Sequence, residues 1–587
     1  MQRGYSMPEY FQNMTTIGKP CNTNPENEQG LKTIENEIDE AIKKMLESGR
    51  SDESLNASGQ LTCMQRINAL VDDMQSWCPL NSLYNPENNE DDGCGVVTGL
   101  AKISGKWAVI IAFDNKKLAG AWMPGQGAKI VRATEISAKL HIPLVYVLNC
   151  SGLKYDEQEK IWCGRISSGT PFYRHAALEQ AGVPILVGIF GTNPAGGGYH
   201  AISPTILIAK EDANFAVGGA GIIGGMSPKG SIDHENALAF IESQKNAKGK
   251  IPPPGTVKIH YDKTGFIREV YGEEQEVLEA LRFYMHSMPS YEHEFFKIDF
   301  PRLPAYNQSD LYHILPTNPK KPYDIRDILS RLFDNSEFQE YKSDYGPEIV
   351  AGLAKINGLL CGVIANQQGF FANYPEYRTN SFAVGGKLYR QGLIKMNEFV
   401  MLCKRDRIPL IWLQDTMGID VDDEAEKAEL LGLGQGLIYT VQDANIPQME
   451  ITLRKASGAS HYLMGGPQGN DTNIFSLGTA ASEYYPMHSE TAAVAMYGRR
   501  LVKEHAAGRD LQPVIEKMND IIVSYAEKAK PYYNARVGHF DEVVKLDEIR
   551  KYLTAFIESA YQNPVSICPF HQMMLPRVIR EYNNSKG

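Results

Sequence analysis

The sequence predicts an α/β protein that contains two copies of one domain. Three stretches of the first half return in the same order in the second half, roughly 250 to 270 residues later. Three matches in one order indicate an internal duplication rather than chance similarity. The paired stretches are GLAKI at 99–103 and 352–356, HIPLVYVLNCSG at 141–152 and RIPLIWLQDTMG at 407–418, and VPILVGIFGTNPAGGGYHA at 183–201 and IPQMEITLRKASGASHYLM at 446–464.

Within each copy, short apolar strands alternate with helices. In the first copy, residues 99–114 predict two strands joined by a Ser-Gly-Lys turn, and residues 127–141 predict a helix. The strand LVYVL, a helix over 172–180 and the strand PILVGIF follow. This alternation favours α/β packing, in which ligands bind at the strand ends beside helix N-termini.

The predicted domain boundaries follow from composition. Residues 1–30 are expected to form a tail, 31–305 the first domain and 306–587 the second, with a helical C-terminal extension. The Pro- and charge-rich stretch from 289 to about 342 joins the two copies. Apolar residues at three- and four-residue spacing from 31 to 45 predict one helix before the first repeat.

Charge and cysteine content exclude several classes of protein. A formal net charge of −11 argues against a nucleic-acid surface, which needs clustered Lys and Arg. The first residues lack the apolar core of a signal peptide, and no run reaches the ~18 apolar residues of a membrane span, so we expect a cytoplasmic protein. The nine cysteines are scattered without a CxxC pair, which favours reduced thiols and predicts no metal site.

Common nucleotide and hydrolase motifs are absent or poorly placed. Residues 219–224 satisfy GxGxxG, but Met226-Ser227-Pro228 follows where a dinucleotide-binding fold needs a continuing helix, so a glycine-rich loop is the better interpretation. The sequence contains no GxxxxGK[ST], HExxH or GxSxG. A P-loop enzyme, a zincin and a nucleophile-elbow hydrolase are therefore disfavoured.

The small-residue turns at the strand ends carry the functional hypothesis. They contain Gly152 and Gly196–Gly197 in the first copy, and Gly418 and Gly458–Ala459 in the second. These residues could simply allow tight turns. Because the turns recur in matched positions, we expect their backbone N–H groups to stabilise one developing oxyanion in each copy.

Charged residues near the turns are less informative. Asp415 is expected to end its strand or cap a helix, and Arg454 and Lys455 could meet an anion or be solvated. Four basic residues of the first copy are candidates for binding phosphates. These are Lys154, Lys160, Arg165 and Arg174.

The same motifs resemble the carboxyltransferase family of biotin-dependent enzymes, whose two halves each have the ClpP/crotonase fold with ββα superhelix repeats. In the second half the resemblance rests on YGPEIVAGLAKINGLLCGVIANQ, IPLIWLQDTMG and LRKASGASHYLMG. In the first half it rests on GAKIVRATEISAKLHIPLVYVLNCSG and PAGGGYHA, where Asn149 and Cys150 replace the usual Asp-Ser. The resemblance covers roughly residues 95 to 555.

This resemblance implies a role for each turn without a side-chain base. The first half would bind the acyl-CoA thioester and the second half biotin, and backbone N–H groups would stabilise the enolate-like oxygen of each. The implied catalytic residues are Gly152, Leu153, Gly196 and Gly197, with Gly418, Ile419, Gly458 and Ala459. Acyl-CoA would contact Ser151, Gly152, Lys154, Arg165, Ala195, Gly196, Gly197 and Gly198, and biotin would contact Thr416, Gly418, Ser457, Gly458 and Ala459.

The resemblance also implies partners. It is closest to the sodium-pumping decarboxylases of the family, so the expected reaction moves the carboxyl group of glutaconyl-CoA to biotin on a separate carrier subunit and yields crotonyl-CoA. Membrane subunits would release the CO2 and hold this chain at the inner face of the membrane. A homodimer is the expected smallest active unit.

Other functions stay open at this point. One is the carboxyltransferase subunit of an ATP-driven acyl-CoA carboxylase, acting on methylcrotonyl- or propionyl-CoA. Another is a crotonase-type CoA-ester hydratase or isomerase, although neither 151–153 nor 194–199 carries the glutamate that such enzymes usually need. A non-catalytic scaffold is the last alternative.

Overall fold

The chain folds into two compact units. The computed structural model describes residues 14–87, 93–201, 204–218, 233–247, 255–288, 300–378 and 381–562. The first unit contains the described residues from 42 to 288 together with Gln562, and the second unit contains those from 14 to 41 and from 300 to 561.

Strands and helices alternate through most of the chain. The described strands are β1 Thr15–Thr16, β2 Cys78–Leu80, β3 Val96–Ile103, β4 Lys106–Phe113, β5 Leu144–Leu148, β6 Ile185–Ile189, β7 Thr192–Pro194, β8 Ile206–Lys210, β9 Asn214–Ala216, β10 Glu269–Tyr271, β11 Glu337–Glu340, β12 Ile349–Ile356, β13 Leu359–Asn366, β14 Phe370–Ala372, β15 Phe382–Val384, β16 Lys387–Leu388, β17 Leu410–Thr416, β18 Gly418–Ile419, β19 Gln448–Ser457, β20 Asn473–Gly478, β21 Glu483–Tyr485 and β22 Glu542–Val543.

The described α-helices are α1 Pro25–Glu47, α2 Asp52–Asn56, α3 Cys63–Leu70, α4 Gln126–Leu140, α5 Gln158–Trp162, α6 Thr170–Gln180, α7 Gly196–Tyr199, α8 His234–Ala247, α9 Val257–Asp262, α10 Glu274–Ser287, α11 Leu311–Ile314, α12 Ile325–Leu332, α13 Arg390–Asp406, α14 Asp423–Lys427, α15 Leu430–Ala444, α16 Gly458–Leu463, α17 Ser489–Ala506, α18 Gln512–Ala529, α19 Pro531–Arg536 and α20 Ile549–Gln562. None of them combines the length and apolar character needed to cross a membrane.

A seven-stranded sheet forms the centre of the first unit, in the order β10-β8-β6-β5-β4-β3-β2. Strands β10, β8, β6, β5 and β4 run parallel to one another, whereas β3 pairs antiparallel with β4 and with β2. Strand β5 is buried along its whole length, as expected for a parallel strand covered on both faces. On one face, helix α10 packs Val277, Leu278 and Leu281 into the apolar core.

The second unit repeats this plan around a larger sheet. Its path runs β1-β11-β12-β13-β17-β19-β20-β22, with β21 also paired to β19. Strands β12 and β13 form the antiparallel hairpin, and β13, β17, β19, β20 and β22 are parallel. Helices α13 and α15 cover one face with residues such as Phe399 and Leu437, which pack around Trp412.

The repeat that the sequence predicts is present in the strand pairing. GLAKI lies in β3 of one hairpin and in β12 of the other, and the two apolar runs that follow form β5 and β17. The helices predicted over 127–141 and 172–180 correspond to α4 and α6. The GxGxxG stretch at 219–224 lies outside the described residues.

The start of the chain belongs to the second unit. Thr15 and Thr16 pair antiparallel with Phe338 and Glu337, at the edge of the second sheet. In α1, the Asn27 side chain donates to the carbonyl oxygens of Tyr312 and Leu315, both at 2.7 Å. The segment from 14 to 41 is thus an integral part of that unit.

Candidate active site

In the first unit, the turn after β5 is held by the backbone of Trp122. The Trp122 N–H donates to the Gly152 carbonyl oxygen at 2.7 Å, and the Lys154 N–H donates to the Trp122 carbonyl oxygen at 2.9 Å. Trp122 and Leu153 are therefore paired as in a parallel sheet. Because alternate residues of such a pair face opposite sides, the Leu153 N–H points away from Trp122. Gly152 makes the turn possible with a φ of +117°.

The helix after β7 begins beside this turn. Ala195 has φ +49° and ψ −125°, and α7 starts at Gly196. A Cβ on Gly197 would overlap the carbonyl oxygen of Cys150, so the helix start and the first turn are in direct contact. The Asn193 side chain links β7 to the first turn, because its Oδ1 accepts a hydrogen bond from the Cys150 N–H at 2.6 Å.

In the second unit, the turn after β17 has the same construction. Gly418 and Ile419 form β18, which pairs in parallel with Lys387 and Leu388 of β16. The Asp420 N–H donates to the Leu388 carbonyl oxygen at 3.0 Å, as Lys154 does to Trp122 in the first unit. Gly418 has φ +135°, and a Cβ built on it would meet no atom within 4 Å. This glycine therefore borders open space.

The helix that faces the second turn is α16, and it packs against β18. It begins at Gly458, whose φ is +54° and whose Cβ would lie 2.9 Å from the Pro486 carbonyl oxygen. The left-handed residue at the helix start is thus Ala195 in one unit and Gly458 in the other. Matching the two sequences by their glycines pairs Gly196 with Gly458. The backbone conformation instead pairs Ala195 with Gly458, one residue earlier in the first unit.

Both units therefore bring a strand-end turn to the start of a helix. The first N–H groups of a helix have no partner within the helix and are therefore available as donors. Gly152 also has little around it, because its Cβ would have one neighbour within 4 Å, the Pro194 Cγ at 3.8 Å. Such an arrangement can stabilise an oxygen atom on which negative charge develops.

The charged residues beside the second turn are structural. Arg454 is buried, and its Nε donates to Asp415 Oδ2 at 2.8 Å while its Nη1 donates to carbonyl oxygens of the loop 318–321. The Lys455 Nζ donates to the Pro319 carbonyl oxygen at 2.8 Å. Asp415 thus pairs with a buried guanidinium, and Arg454 and Lys455 hold a loop.

The basic candidates of the first unit are paired or exposed. Lys154 and Lys160 both bind the carboxylate of Glu157, and Lys160 also pairs with Glu87 at 3.1 Å. Arg174 pairs with Glu135 at 3.2 Å. Arg165 is exposed to solvent, and its side chain remains a candidate contact for a ligand phosphate. Ser151 is half-buried, and its hydroxyl donates to the Leu118 carbonyl oxygen.

A buried polar network next to α16 was not anticipated from the sequence. Glu450 accepts hydrogen bonds from Gln414 at 2.5 Å and from Thr452 at 2.6 Å, and its second oxygen accepts from Ser476 at 2.9 Å. Gln414 also contacts His461 Nδ1 at 2.9 Å. Burial raises the pKa of Glu450 to about 7 and lowers the pKa of His461 to about 4. The available signal was a glutamate in the middle of the apolar strand QMEITL.

Within the described ranges, no three His, Cys, Asp or Glu side chains lie together as in a metal site. The described cysteines are free thiols, and burial raises the pKa of Cys150 to about 12. The Cys150 thiol is therefore protonated and unreactive at neutral pH.

Comparison with known proteins assigns the chain to a family. The profile of the carboxyl transferase domain matches residues 54–574. The chain belongs to the carboxyl transferase domain family. It is an enzyme of the carboxyltransferase type, and the predicted family and the predicted crotonase-like fold are both confirmed.

Relatives of this carboxyltransferase range from 58% to 20% sequence identity. It is 58% identical over 580 residues to the glutaconyl-CoA decarboxylase subunit alpha of Acidaminococcus fermentans, covering 98% of each chain. It is 25% identical over 481 residues to the biotin-dependent 3-methylcrotonyl-coenzyme A carboxylase beta1 subunit of Mycobacterium tuberculosis, covering 81% of this chain and 84% of that one. The beta subunit of geranyl-CoA carboxylase from P. aeruginosa has the same fold, with a TM-score of 0.77, 20% identity and coverage of 96% of this chain and 99% of that one.

Proposed function

We propose that this chain is the carboxyltransferase subunit of a biotin-dependent, sodium-pumping decarboxylase. It takes the carboxyl group of glutaconyl-CoA, passes it to biotin on a separate carrier subunit and releases crotonyl-CoA. The similarity that carries the substrate assignment is 58% identity across 98% of the chain to a protein named glutaconyl-CoA decarboxylase subunit alpha. The methylcrotonyl-CoA carboxylase subunits are far more distant, at 25% identity or less.

The observation that carries the chemistry is the duplicated turn. In each unit, a strand-end glycine with positive φ stands beside a helix start. Transfer of a carboxyl group creates charge on two oxygen atoms, one in the acyl thioester and one in the ureido group of biotin. Two separate sets of backbone donors suit a reaction with two such oxygens.

In the proposed first step, the bond between C4 of the glutaconyl chain and its terminal carboxyl carbon breaks. The electron pair delocalises through the double bond onto the thioester oxygen, and the N–H groups of Leu153, Gly196 and Gly197 stabilise that dienolate. Biotin, when bound, supplies the ureido nitrogen that takes up the carboxyl group and gives its proton to C4. Atoms and charge then balance, with crotonyl-CoA as the product.

The second unit has room for the ureido group. A Cβ on Gly418 would meet nothing within 4 Å, so a planar ring can approach this backbone. Ile419 and the first residues of α16, Gly458 and Ala459, would donate to the ureido oxygen. Thr416, the last residue of β17, and Ser457, the last residue of β19 before α16, would line the same site.

The direct test uses the isolated protein with glutaconyl-CoA and free biotin. We expect crotonyl-CoA to form only when both are present, as measured by chromatography of the CoA esters. Turnover of methylcrotonyl-CoA with carboxylated biotin, without any turnover of glutaconyl-CoA, would instead assign this chain to the ATP-driven acyl-CoA carboxylases. Hydration of crotonyl-CoA without biotin would assign it to the crotonase-type hydratases.

The proposal includes a homodimer as the smallest active unit, with a biotin carrier and membrane decarboxylase subunits as partners. Within that dimer the acyl-CoA half of one subunit works with the biotin half of the other. Variants of Gly197 and of Gly458 should then complement each other, because a mixed dimer keeps one intact site and random pairing restores about a quarter of wild-type activity. If each subunit worked independently, the mixture would stay as inactive as its components.

A further inference from the structure

Trp122 contacts both halves of the candidate acyl-CoA site. Its backbone pairs with Gly152 and Lys154, as described above. Its ring stands against the start of α7, where a Cβ on Gly196 would overlap the edge of the indole. Its indole N–H donates to His200 Nε2 at 3.2 Å, just beyond the end of the same helix. One side chain therefore links the turn after β5 to the helix after β7.

The ring is held rigidly. Trp122 is 3% exposed and meets the His200 ring edge-on, with the ring centroids 5.4 Å apart. Phe172 packs on it at 6.0 Å, and Tyr146 stacks obliquely on His200 at 5.5 Å. Close-packed aromatic rings leave little room to shift, so a change in the indole moves the backbone around it.

The described part of the second unit has an aliphatic residue in place of this aromatic link. Leu388 occupies the corresponding backbone position, because it pairs with Ile419 as Trp122 pairs with Leu153. The start of α16 instead faces a backbone carbonyl, that of Pro486. The indole is thus a feature of the half that we assign to the acyl thioester.

We propose that Trp122 is a positioning residue that fixes the separation between the Leu153 N–H and the N–H groups of Gly196 and Gly197. Since these groups lie in two different segments, a spacer between them determines whether they converge on one oxygen. The inference rests on the proposed function, because the oxygen concerned is that of the acyl thioester. Trp122 is buried and acts through the backbone rather than by touching the substrate.

The first variant to test is Trp122→Leu, which gives the first unit the residue found at this position in the second. We expect kcat for crotonyl-CoA formation to fall roughly ten- to hundredfold, because small errors of placement cost that much. The KM values for glutaconyl-CoA and for free biotin should change less than about threefold, since an interaction made only in the transition state acts on kcat. Trp107→Leu is the matched control, because Trp107 is 4% exposed and lies near the start of β4, at the strand end opposite the turn that follows the parallel strand β5.

A reciprocal experiment separates positioning from general damage. Gly196→Ala places a methyl group in the indole edge, and Trp122→Leu vacates that space. In the double variant the smaller side chain should recover part of the kcat that Gly196→Ala loses, so that the two changes are not independent. The proposal would be overturned if the double variant lost kcat by the product of the two single losses. It would also be overturned if Trp122→Leu and Trp107→Leu had the same kcat.

Failure of the proposed function gives a different result. If the wild-type protein does not convert glutaconyl-CoA, the substrate assignment is wrong whatever the variants do. The same ratios of kcat can then be measured with the acyl-CoA that the wild-type protein does convert. A normal wild-type rate with an unaffected Trp122→Leu variant contradicts the positioning role and leaves the function intact.

Discussion

Arg66 donates a hydrogen bond from Nη1 to Asn149 Oδ1 across 3.2 Å, while its other nitrogens bind Glu274 at 2.7 and 2.8 Å. Asn149 directly follows β5, and the matching residue of the second unit is Asp415 in β17, which pairs with Arg454. In the first unit the guanidinium is already neutralised by Glu274. An amide rather than a carboxylate therefore suits the place next to it, which explains the departure from the usual family residue.

Asn149→Asp should destabilise the protein at high pH. The new carboxylate would be buried without a free counter-charge, and it would face the Ala119 carbonyl oxygen to which the Asn149 amide now donates. We expect a loss of about 2 kcal/mol in the free energy of unfolding at pH 8. Protonation of the new group should recover much of this at pH 5, whereas a loss of equal size at both values would contradict the charge argument.

Gly197→Ala should abolish most turnover. The added Cβ overlaps the Cys150 carbonyl oxygen, so the helix start must move away from the first turn. Displacing one donor of this kind costs on the order of 3 kcal/mol of transition-state stabilisation, a loss of about a hundredfold in kcat. Gly169→Ala is the control, since Gly169 precedes α6 with a φ of −86° and its Cβ meets nothing within 4 Å.

Gly458→Ala should impair the use of biotin. At φ +54° an alanine is strained, and its Cβ would press on the Pro486 carbonyl oxygen at 2.9 Å. Initial rates at several concentrations of free biotin should show a lower kcat/KM for biotin, with little change in the KM for the acyl-CoA. Gly436→Ala, half-buried in α15 with no atom within 4 Å of the added Cβ, should leave both values unchanged.

Glu450→Gln should stabilise the protein at high pH. Burial raises the pKa of Glu450 to about 7, above its ordinary value of 4.5, so the folded protein binds this proton more tightly than the unfolded chain. The resulting stabilisation is fully present below pH 4.5 and is lost as pH rises to about 7. Relative to wild type, Glu450→Gln should therefore gain on the order of 3 kcal/mol at pH 8 and nothing at pH 4.5. The measurement is chemical denaturation of both proteins across this pH range. A difference in the free energy of unfolding that does not change with pH would contradict the raised pKa of Glu450.

Ala195→Gly should stabilise the first unit. With φ +49° and ψ −125°, Ala195 holds a conformation that glycine adopts far more readily. Relief of this strain should add about 1 kcal/mol, partly offset by the greater entropy of glycine in the unfolded chain. A melting temperature at or below that of wild type would show that the strain is not stored in the folded state.

Much of the fold could be predicted from the sequence, because the strands are short, apolar and repeated. The hairpins around GLAKI and the strand LVYVL were readable from their residues and from their order. The pairing of Thr15–Thr16 with β11 was not, because two threonines carry no pattern that identifies a partner 323 residues away. Pairings between distant segments depend on packing that no local window records.

The sequence predicted which backbone N–H groups form the candidate site, but it did not predict the roles of the surrounding side chains. Small residues at strand ends indicated where N–H groups would be left without partners, and the structure brings Gly152 and Gly197 into neighbouring turns. The roles of Arg454 and Lys455 were open in the sequence, because the residue types alone do not show whether these side chains are buried or solvated. Trp122 lies in a loop without periodicity, so its contacts with both turns could emerge only from the fold.

The pairing of the chain's start with β11 has a consequence during synthesis. At roughly 5 to 20 residues per second, Thr15 leaves the ribosome about 15 to 65 s before Phe338 does. The described residues 42–288 of the first unit can collapse in that interval, while Leu31 and Ile38 of α1 still lack the core that buries them. Nascent chains halted before residue 337 should therefore present this helix to chaperones, and longer ones should withdraw it.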